Sequence, residues 1–143
     1  MRTCLLLMFL ASVMHAQGGG NCTDRTIQGA YGFTFIGARP ASPAPGAPIV
    51  EGRGVGIRIF DGQGNFTEVV SVKGVNTPAL IDQRNSGTYK INPDCTGTAF
   101  LTVPGSPGPA GEFRLVVVNN GKEIFFTLVN PVGPMTLTHA VRM

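Results

Sequence analysis

Short runs in which apolar residues alternate with polar residues or glycines fill most of the chain. In the run Gly29–Gly37, the aromatic residues Tyr31, Phe33 and Phe35 occupy every second position. Alternation with a period of two places these three rings on one face of a β-strand. Glycines recur inside the runs, and each would cost a helix about 1 kcal/mol relative to alanine. The pattern therefore predicts an all-β chain.

Turn-forming residues divide the runs into eight predicted strands. The segment 52–74 contains two of them, joined by the glycine-rich turn 61–65. Counting outward from a symmetric turn pairs Phe60 with Phe66 and Arg58 with Glu68 across this hairpin. The predicted strands cover residues 29–37, the two arms of 52–74, 84–92, 98–103, 111–119, 123–130 and 135–142.

The two faces of the 52–74 hairpin carry different residues. One face holds Ile57, Ile59 and Val69, and the other holds Arg58 and Glu68. Because the first face is the more apolar, we expect Arg58 and Glu68 to lie outside, where a cross-strand ion pair contributes up to about 1 kcal/mol. If their face pointed inward, they would become the candidates for catalysis.

The lengths of the connections favour a closed barrel. The links after the first, third, fifth and seventh strands are long or rich in proline, whereas the other three are tight turns. In an up-and-down order successive links alternate between the two ends of the molecule, so the tight turns gather at one end. We therefore predict an eight-stranded antiparallel up-and-down barrel, with a Greek-key β-sandwich as the alternative.

The sixth and seventh strands form a hairpin whose register follows from its turn. Asn120-Gly121 is a sequence typical of a type I′ hairpin turn. Aligned from it, the outer face carries the adjacent apolar residues Val116, Val118 and Phe125. Such a patch needs cover, either from a second copy of the chain or from a loop or the N-terminal segment. The predicted core face of this hairpin holds Phe113, Leu115, Val117, Ile124, Phe126 and Leu128.

The beginning of the chain predicts export. Arg2 precedes a short apolar run, 5–13, and small Ala16 follows, as in a secretory signal peptide. The run is too short for a membrane span, which needs about 20 apolar residues. We expect residues 1–16 to be removed, leaving a single domain of residues 17–143, secreted or periplasmic, with no membrane span.

Removal of the signal peptide would leave two cysteines, Cys22 and Cys95. In an oxidising compartment an isolated pair indicates one disulfide. The predicted barrel places both cysteines at the end with the tight turns, so the topology and the pairing agree. A reactive or metal-binding thiol pair is the alternative.

Charge and motifs argue against several functions. Charged residues make up 13% of the chain and the basic ones are spread singly, so we expect no nucleic-acid partner. The turn 61–65 resembles a calcium loop, but Phe66 stands where such loops need glycine. His139 is the only histidine outside the predicted signal peptide, and one histidine does not make a zinc site. We expect neither a metal nor a cofactor.

The proline-rich end of the predicted barrel is the candidate mouth of a binding site. An eight-stranded barrel has room for packed side chains or for one small ligand. We therefore expect a barrel that binds a small apolar molecule, with no catalytic residue assigned. A cyclase or isomerase of the barrel type, and an envelope protein that acts by self-association, are the alternatives. The candidate mouth residues are Arg39, Pro40, Pro78, Pro104 and Pro131.

Three motifs together carry a resemblance. The segments 30–33, 60–66 and 87–98 resemble those of a group of small exported bacterial β-proteins, a resemblance that brings no catalytic residues with it. The first-strand and hairpin pattern also resembles the allene oxide cyclase and dirigent barrels. That resemblance implies an eight-stranded, trimeric barrel holding an apolar substrate. No catalytic motif of those families can be placed on this chain, so only the fold is carried over.

Overall fold

A computed structural model describes residues 20–40, 46, 48–130 and 135–143. Eight antiparallel strands follow one another around a closed barrel in chain order. The first strand pairs with both the second and the last, which closes the barrel. The predicted up-and-down barrel is therefore confirmed over the sandwich. The strands are β1 (Gly29–Pro40), β2 (Ile49–Phe60), β3 (Asn65–Gly74), β4 (Leu80–Ile91), β5 (Thr96–Thr102), β6 (Gly111–Val118), β7 (Glu123–Asn130) and β8 (Met135–Arg142).

The tight turns set the register of the hairpins. Across β2 and β3, Phe60 pairs with Phe66 and Arg58 with Glu68, as predicted. Between β6 and β7 the backbone turns through Asn119–Gly121, where Asn120 and Gly121 have φ angles of 53° and 78°. Positive φ at both central residues is what a type I′ turn requires.

Four strands, β1, β2, β4 and β5, extend at least two residues further than their sequence patterns predict. β1 continues past the last aromatic residue to Pro40, because Arg39 and Pro40 still pair with β2. β4 begins at Leu80 rather than at Arg84, because its pairing with β3 resumes between Leu80 and Val72 after an irregularity. Pairing with a neighbouring strand holds these residues extended even where no apolar alternation marks them.

The end with the tight turns is closed by the chain that precedes β1. A single 3₁₀ turn, Asp24–Ile27, packs against this end and buries Ile27 completely. Beneath it the ring of Phe60 lies edge-on to the rings of Tyr31 and Tyr89, at centroid distances of 5.5 and 5.0 Å. Edge-to-face packing at these distances suits aromatic rings. We call this the closed end, and the opposite end the open end.

A disulfide fixes the closed end. Cys22 and Cys95 are bonded, with their Cα atoms 5.0 Å apart, which confirms the predicted pairing. The bond ties the segment before β1 to the turn between β4 and β5.

The predicted signal peptide, residues 1–16, lies outside the described residues. Within those residues, no helix has the length and apolar character needed to cross a membrane.

Candidate ligand-binding site

Arg58 and Glu68 lie inside the barrel, so the expectation that they face outward is wrong. Their exposed fractions are 4% and 5%, whereas Ile57 and Ile59 on the outer face are 43% and 52% exposed. The physical reason is the two-residue period of a strand, which places Phe60 on the same face as Arg58. Burial of the Phe60 ring at the closed end therefore carries Arg58 into the lumen.

Glycines on the inner face of β2 explain why that face looks less apolar. A Cβ atom on Gly56 would lie 2.7 Å from the ring of Phe33, and a Cβ atom on Gly54 would overlap the ring of Phe35. Atoms cannot approach so closely in a packed interior. The rings of β1 thus fill the space that side chains on β2 would otherwise occupy, and the lumen is apolar at this wall without apolar residues from β2.

The buried ion pair is part of a small hydrogen-bonded cluster. Arg58 donates from Nε and Nη2 to Oε2 of Glu68, at 2.9 and 2.6 Å. Asn85 donates from Nδ2 to the other carboxylate oxygen at 2.8 Å. Because a carboxylate only accepts, this bond turns the amide oxygen of Asn85 away from Glu68. That oxygen is buried and has no hydrogen-bond partner among the described residues. We call these three side chains the lumen cluster.

Aromatic rings surround the guanidinium of Arg58. Its central carbon lies 4.5 Å from the ring centre of Phe66 and 4.7 Å from that of Phe126. The rings of Phe33 and Phe113 follow at 5.3 and 5.9 Å. A cation held over ring faces and away from water gains about 2 kcal/mol or more per favourable pair. These rings and Glu68 offset the loss of hydration that burial imposes on Arg58.

A cavity of about 190 Å³ lies against the lumen cluster. An apolar cavity of about 150 Å³ is large enough to hold benzene, so this one can take a single ring with a substituent. The hydroxyl-bearing Thr138, only 3% exposed, adds a further polar group to the wall. Most of the remaining wall is apolar and includes Phe33, Phe35, Val70, Leu101, Phe113 and Phe126.

A second cavity, of about 400 Å³, lies at the open end. It shares Phe35, Val72 and Thr136 with the cavity at the lumen cluster, which places the two cavities next to each other along the barrel axis. A ligand entering at the open end would pass these three residues to reach the cluster. We call Phe35, Val72 and Thr136 the throat.

The candidate mouth residues have different positions in the structure. Pro78 lines the open-end cavity. Arg39 and Pro40 are the last two residues of β1, at the same end of the barrel. Pro104 lies in the link between β5 and β6 and is not part of the wall of either cavity. Pro131 lies outside the described residues. Binding by any of them stays a prediction.

The outer face of the β6–β7 hairpin has the predicted composition. Val116 and Phe125 pair across the strands and are 47% and 41% exposed, and Val118 is half-buried. The ring of Phe125 stacks on His139 of β8, with 4.6 Å between ring centres. The Nε2 atom of His139 in turn lies 3.0 Å from a carboxylate oxygen of Glu123. Contact of this patch with another subunit stays a prediction.

The two tyrosines of the closed end are satisfied within the protein. Tyr31 donates to the carbonyl of Gly121, and Tyr89 donates to the carbonyl of Asp24 and accepts from the amide of Gly62. Burial raises the pKa of both phenols above the usual range, more than their hydrogen bonds lower it. Neither residue lines the lumen cavity. Their hydrogen bonds connect the strands of the closed end to the turns around them.

Asn85 and Thr138 are not among the site residues predicted from the sequence, although the two-residue period of their strands indicates that both face inward. Asn85 lies four residues before buried Tyr89, and Thr138 lies two residues before buried Ala140. Residues separated by an even number of positions share a face of a strand. Once the buried face of a strand is known, its polar members are therefore the residues that enter the lumen.

No family model, curated protein or solved structure matches this chain. Within residues 20–40, 48–130 and 135–143, no cluster of three or more His, Cys, Asp or Glu side chains could hold a metal ion. Among the described residues, the lumen cluster and its cavity combine a buried ion pair with space for a small molecule.

Proposed function

We propose that this protein is a binding protein whose lumen holds a small, mainly apolar molecule with one polar group set against the lumen cluster. The observation that carries the proposal is a hydrogen-bonded, charged cluster beside an apolar cavity that adjoins the open end. Small-molecule sites are typically concave and apolar, with a few polar groups that orient the ligand. The cavities and the cluster together have this composition.

Energetics support a role for the cluster beyond packing. Removing two charges from water costs several kcal/mol per ion, and apolar residues of similar volume in place of a buried pair are often neutral or stabilising. A barrel that served only as a packed scaffold would gain little from Arg58 and Glu68. A barrel that must orient the polar group of a ligand would gain a fixed set of donors and acceptors.

Binding of a fluorinated probe tests the proposal. We expect 4-fluorotoluene to bind saturably to the purified, disulfide-bonded chain in ¹⁹F NMR titrations, because its ring matches the size of the inner cavity. The substitution Val72→Trp fills the throat and should abolish binding. Its matched control, Thr67→Trp, places the same ring on the exposed face of the same strand and should leave binding unchanged.

Native mass spectrometry of the chain purified without detergent provides a second measurement. A species heavier than the chain by the mass of a small molecule would identify a co-purifying ligand. Absence of saturable probe binding, or equal binding by Val72→Trp and the unsubstituted chain when both are folded by circular dichroism, would contradict a ligand-holding lumen.

The inward position of Glu68 favours a second candidate, a cyclase or isomerase. A carboxylate beside an apolar cavity is a group that can accept a proton from a bound substrate. Both of its oxygens already accept hydrogen bonds from Arg58 and Asn85, so it would have to weaken one of them to act. We therefore place binding first. Turnover of a co-purified ligand by the unsubstituted chain and its loss in Glu68→Gln would support the enzyme; equal rates would count against it.

The proposed site of action is outside the cytosol. Disulfides persist in oxidising compartments and are rare in reducing ones, and this barrel contains one. If the chain is exported and residues 1–16 are removed, the protein recovered from a bacterial periplasm or medium should begin at Gln17. A chain that retains Met1 and stays in the cytosol would contradict this part of the proposal.

A further inference from the structure

We infer that the ligand of the lumen is electrically neutral and presents a hydroxyl group to the lumen cluster. The inference rests on the proposed binding function and specifies the chemical class of the ligand. It follows from the charge balance of the cluster, from its unused hydrogen-bonding groups and from the size of the adjoining cavity.

The charge balance argues against an anionic ligand. The Nη2 atom of Arg58 lies 2.6 Å from Oε2 of Glu68, and the side chain of each is only 4% exposed. The positive charge of the guanidinium is therefore already compensated by a carboxylate inside the barrel. A second carboxylate entering the same dry space would bring a charge with no partner of its own, which carries a large desolvation cost.

The hydrogen-bonding groups left over argue for a hydroxyl. Arg58 uses two of the five N–H groups that a guanidinium carries in its bonds to Glu68. The cluster therefore still offers donors. Asn85, which is part of the same cavity wall, offers the opposite: a buried amide oxygen with no donor among the described residues. A hydroxyl group both donates and accepts hydrogen bonds, so one ligand oxygen can accept from Arg58 and donate to the amide oxygen of Asn85.

The cavity sets the size of the group that bears the hydroxyl. About 190 Å³ with a wall of phenylalanine and aliphatic side chains suits one ring or a compact aliphatic body next to the polar end. A longer apolar portion would extend past the throat into the cavity of about 400 Å³ at the open end. The inferred ligand class is therefore a neutral alcohol with a compact apolar body.

Three probes that differ at one group test the inference. They are 4-fluorobenzyl alcohol, 4-fluorotoluene and 4-fluorobenzoate, measured by ¹⁹F NMR titration on the unsubstituted, disulfide-bonded chain at pH 7. We expect the alcohol to bind about tenfold more tightly than 4-fluorotoluene, because it gains hydrogen bonds to buried, unused groups. We expect 4-fluorobenzoate to bind more weakly than the alcohol. This measurement needs no substitution, so it does not depend on whether a variant folds.

The possible rankings separate this inference from the proposed function. Equal binding of the alcohol and 4-fluorotoluene would overturn the inference and leave the binding function standing. Tightest binding of 4-fluorobenzoate would overturn it in favour of an anionic ligand. Saturable binding of none of the three probes would count against the proposed function itself.

Two substitutions on β4 locate the effect. Asn85→Leu removes the unpaired amide oxygen and should reduce the preference for the alcohol over 4-fluorotoluene from about tenfold to within about twofold. Ser86→Leu is the matched control, since Ser86 is the next residue of β4 and lies on its exposed outer face; it should keep the preference. The assignment to the lumen cluster is wrong if folded Asn85→Leu keeps the preference or if Ser86→Leu loses it.

Discussion

The closed end and the lumen are built from the same eight strands, but their buried polar groups differ in hydrogen bonding. At the closed end, Tyr31 and Tyr89 are hydrogen-bonded to backbone groups, and Asp24 accepts from the amide of Ile91 at 2.7 Å. In the lumen, the amide oxygen of Asn85 has no partner among the described residues. Among the described residues, the polar side chains of the closed end are thus hydrogen-bonded, whereas the lumen retains a buried polar atom without a partner.

The difference separates the part of the barrel that is packed for stability from the part to which the proposed binding site is assigned. The disulfide, the 3₁₀ turn and the aromatic cluster of the closed end supply packing and cross-linking. The lumen beyond it keeps its charged cluster and its cavities, which contribute less to stability than a filled core would. Substitutions at the closed end should therefore change mainly stability, and substitutions in the lumen should also change probe binding.

Removal of one partner of the buried ion pair should cause the largest loss. Arg58→Met leaves the Glu68 carboxylate buried without its cation, and we expect the free energy of unfolding to fall by about 3–5 kcal/mol in urea titrations. The double variant Arg58→Met with Glu68→Leu should recover most of this loss, because it removes both buried charges together. A single variant as stable as the unsubstituted chain would show that the pair is not buried as described.

Loss of the disulfide should weaken the closed end without changing the lumen. The pair Cys22→Ser and Cys95→Ser opens a loop with a sequence separation of 73 residues. The chain-entropy model gives an upper guide of about 4 kcal/mol for a loop of that length. We expect a lower midpoint in urea but unchanged probe affinity in the folded variant. A marked change of affinity would mean that the two ends are coupled.

Truncation of apolar side chains should lower the free energy of unfolding more at the closed end than at the open end. Ile27→Ala removes a completely buried side chain at the closed end and should cost about 2–4 kcal/mol in urea titrations. The matched substitution Leu80→Ala, at a residue that is 54% exposed at the open end, should change stability by less than about 0.5 kcal/mol. Similar losses at both positions would remove the distinction between the ends.

Because the pKa values of the buried phenols are raised, we expect the protein to lose stability in alkaline solution. Burial raises the pKa of Tyr89 and of Tyr31 in the folded chain above the usual phenol value near 10. Above that value the unfolded chain releases these protons first, so unfolding becomes more favourable as pH rises. Urea titrations from pH 8 to 11 should show this fall. Tyr89→Phe should reduce its slope and, at pH 7, cost about 1 kcal/mol for the lost hydrogen bonds.

The fold was accessible from the sequence because it depends on local signals. Alternation marked the strands, and the turn sequences fixed the pairing of Phe60 with Phe66 and the type I′ turn at Asn120-Gly121. The alternation of long and short links then gave the order of the strands, and the position of Cys22 and Cys95 agreed with it. Each of these inferences needs only neighbours in sequence or one rule of connectivity.

The candidate site was less accessible because it depends on which face of a strand turns inward. The sequence placed Arg58 and Glu68 opposite each other, but the barrel decided that they point into the lumen. The deciding contacts are long-range: rings from β1 fill the space above Gly54 and Gly56, and a local pattern does not show that. The sequence alone thus determined the strands, their order and the disulfide. Only the tertiary structure decided which polar residues became the lumen cluster, because burial depends on what the neighbouring strands contribute.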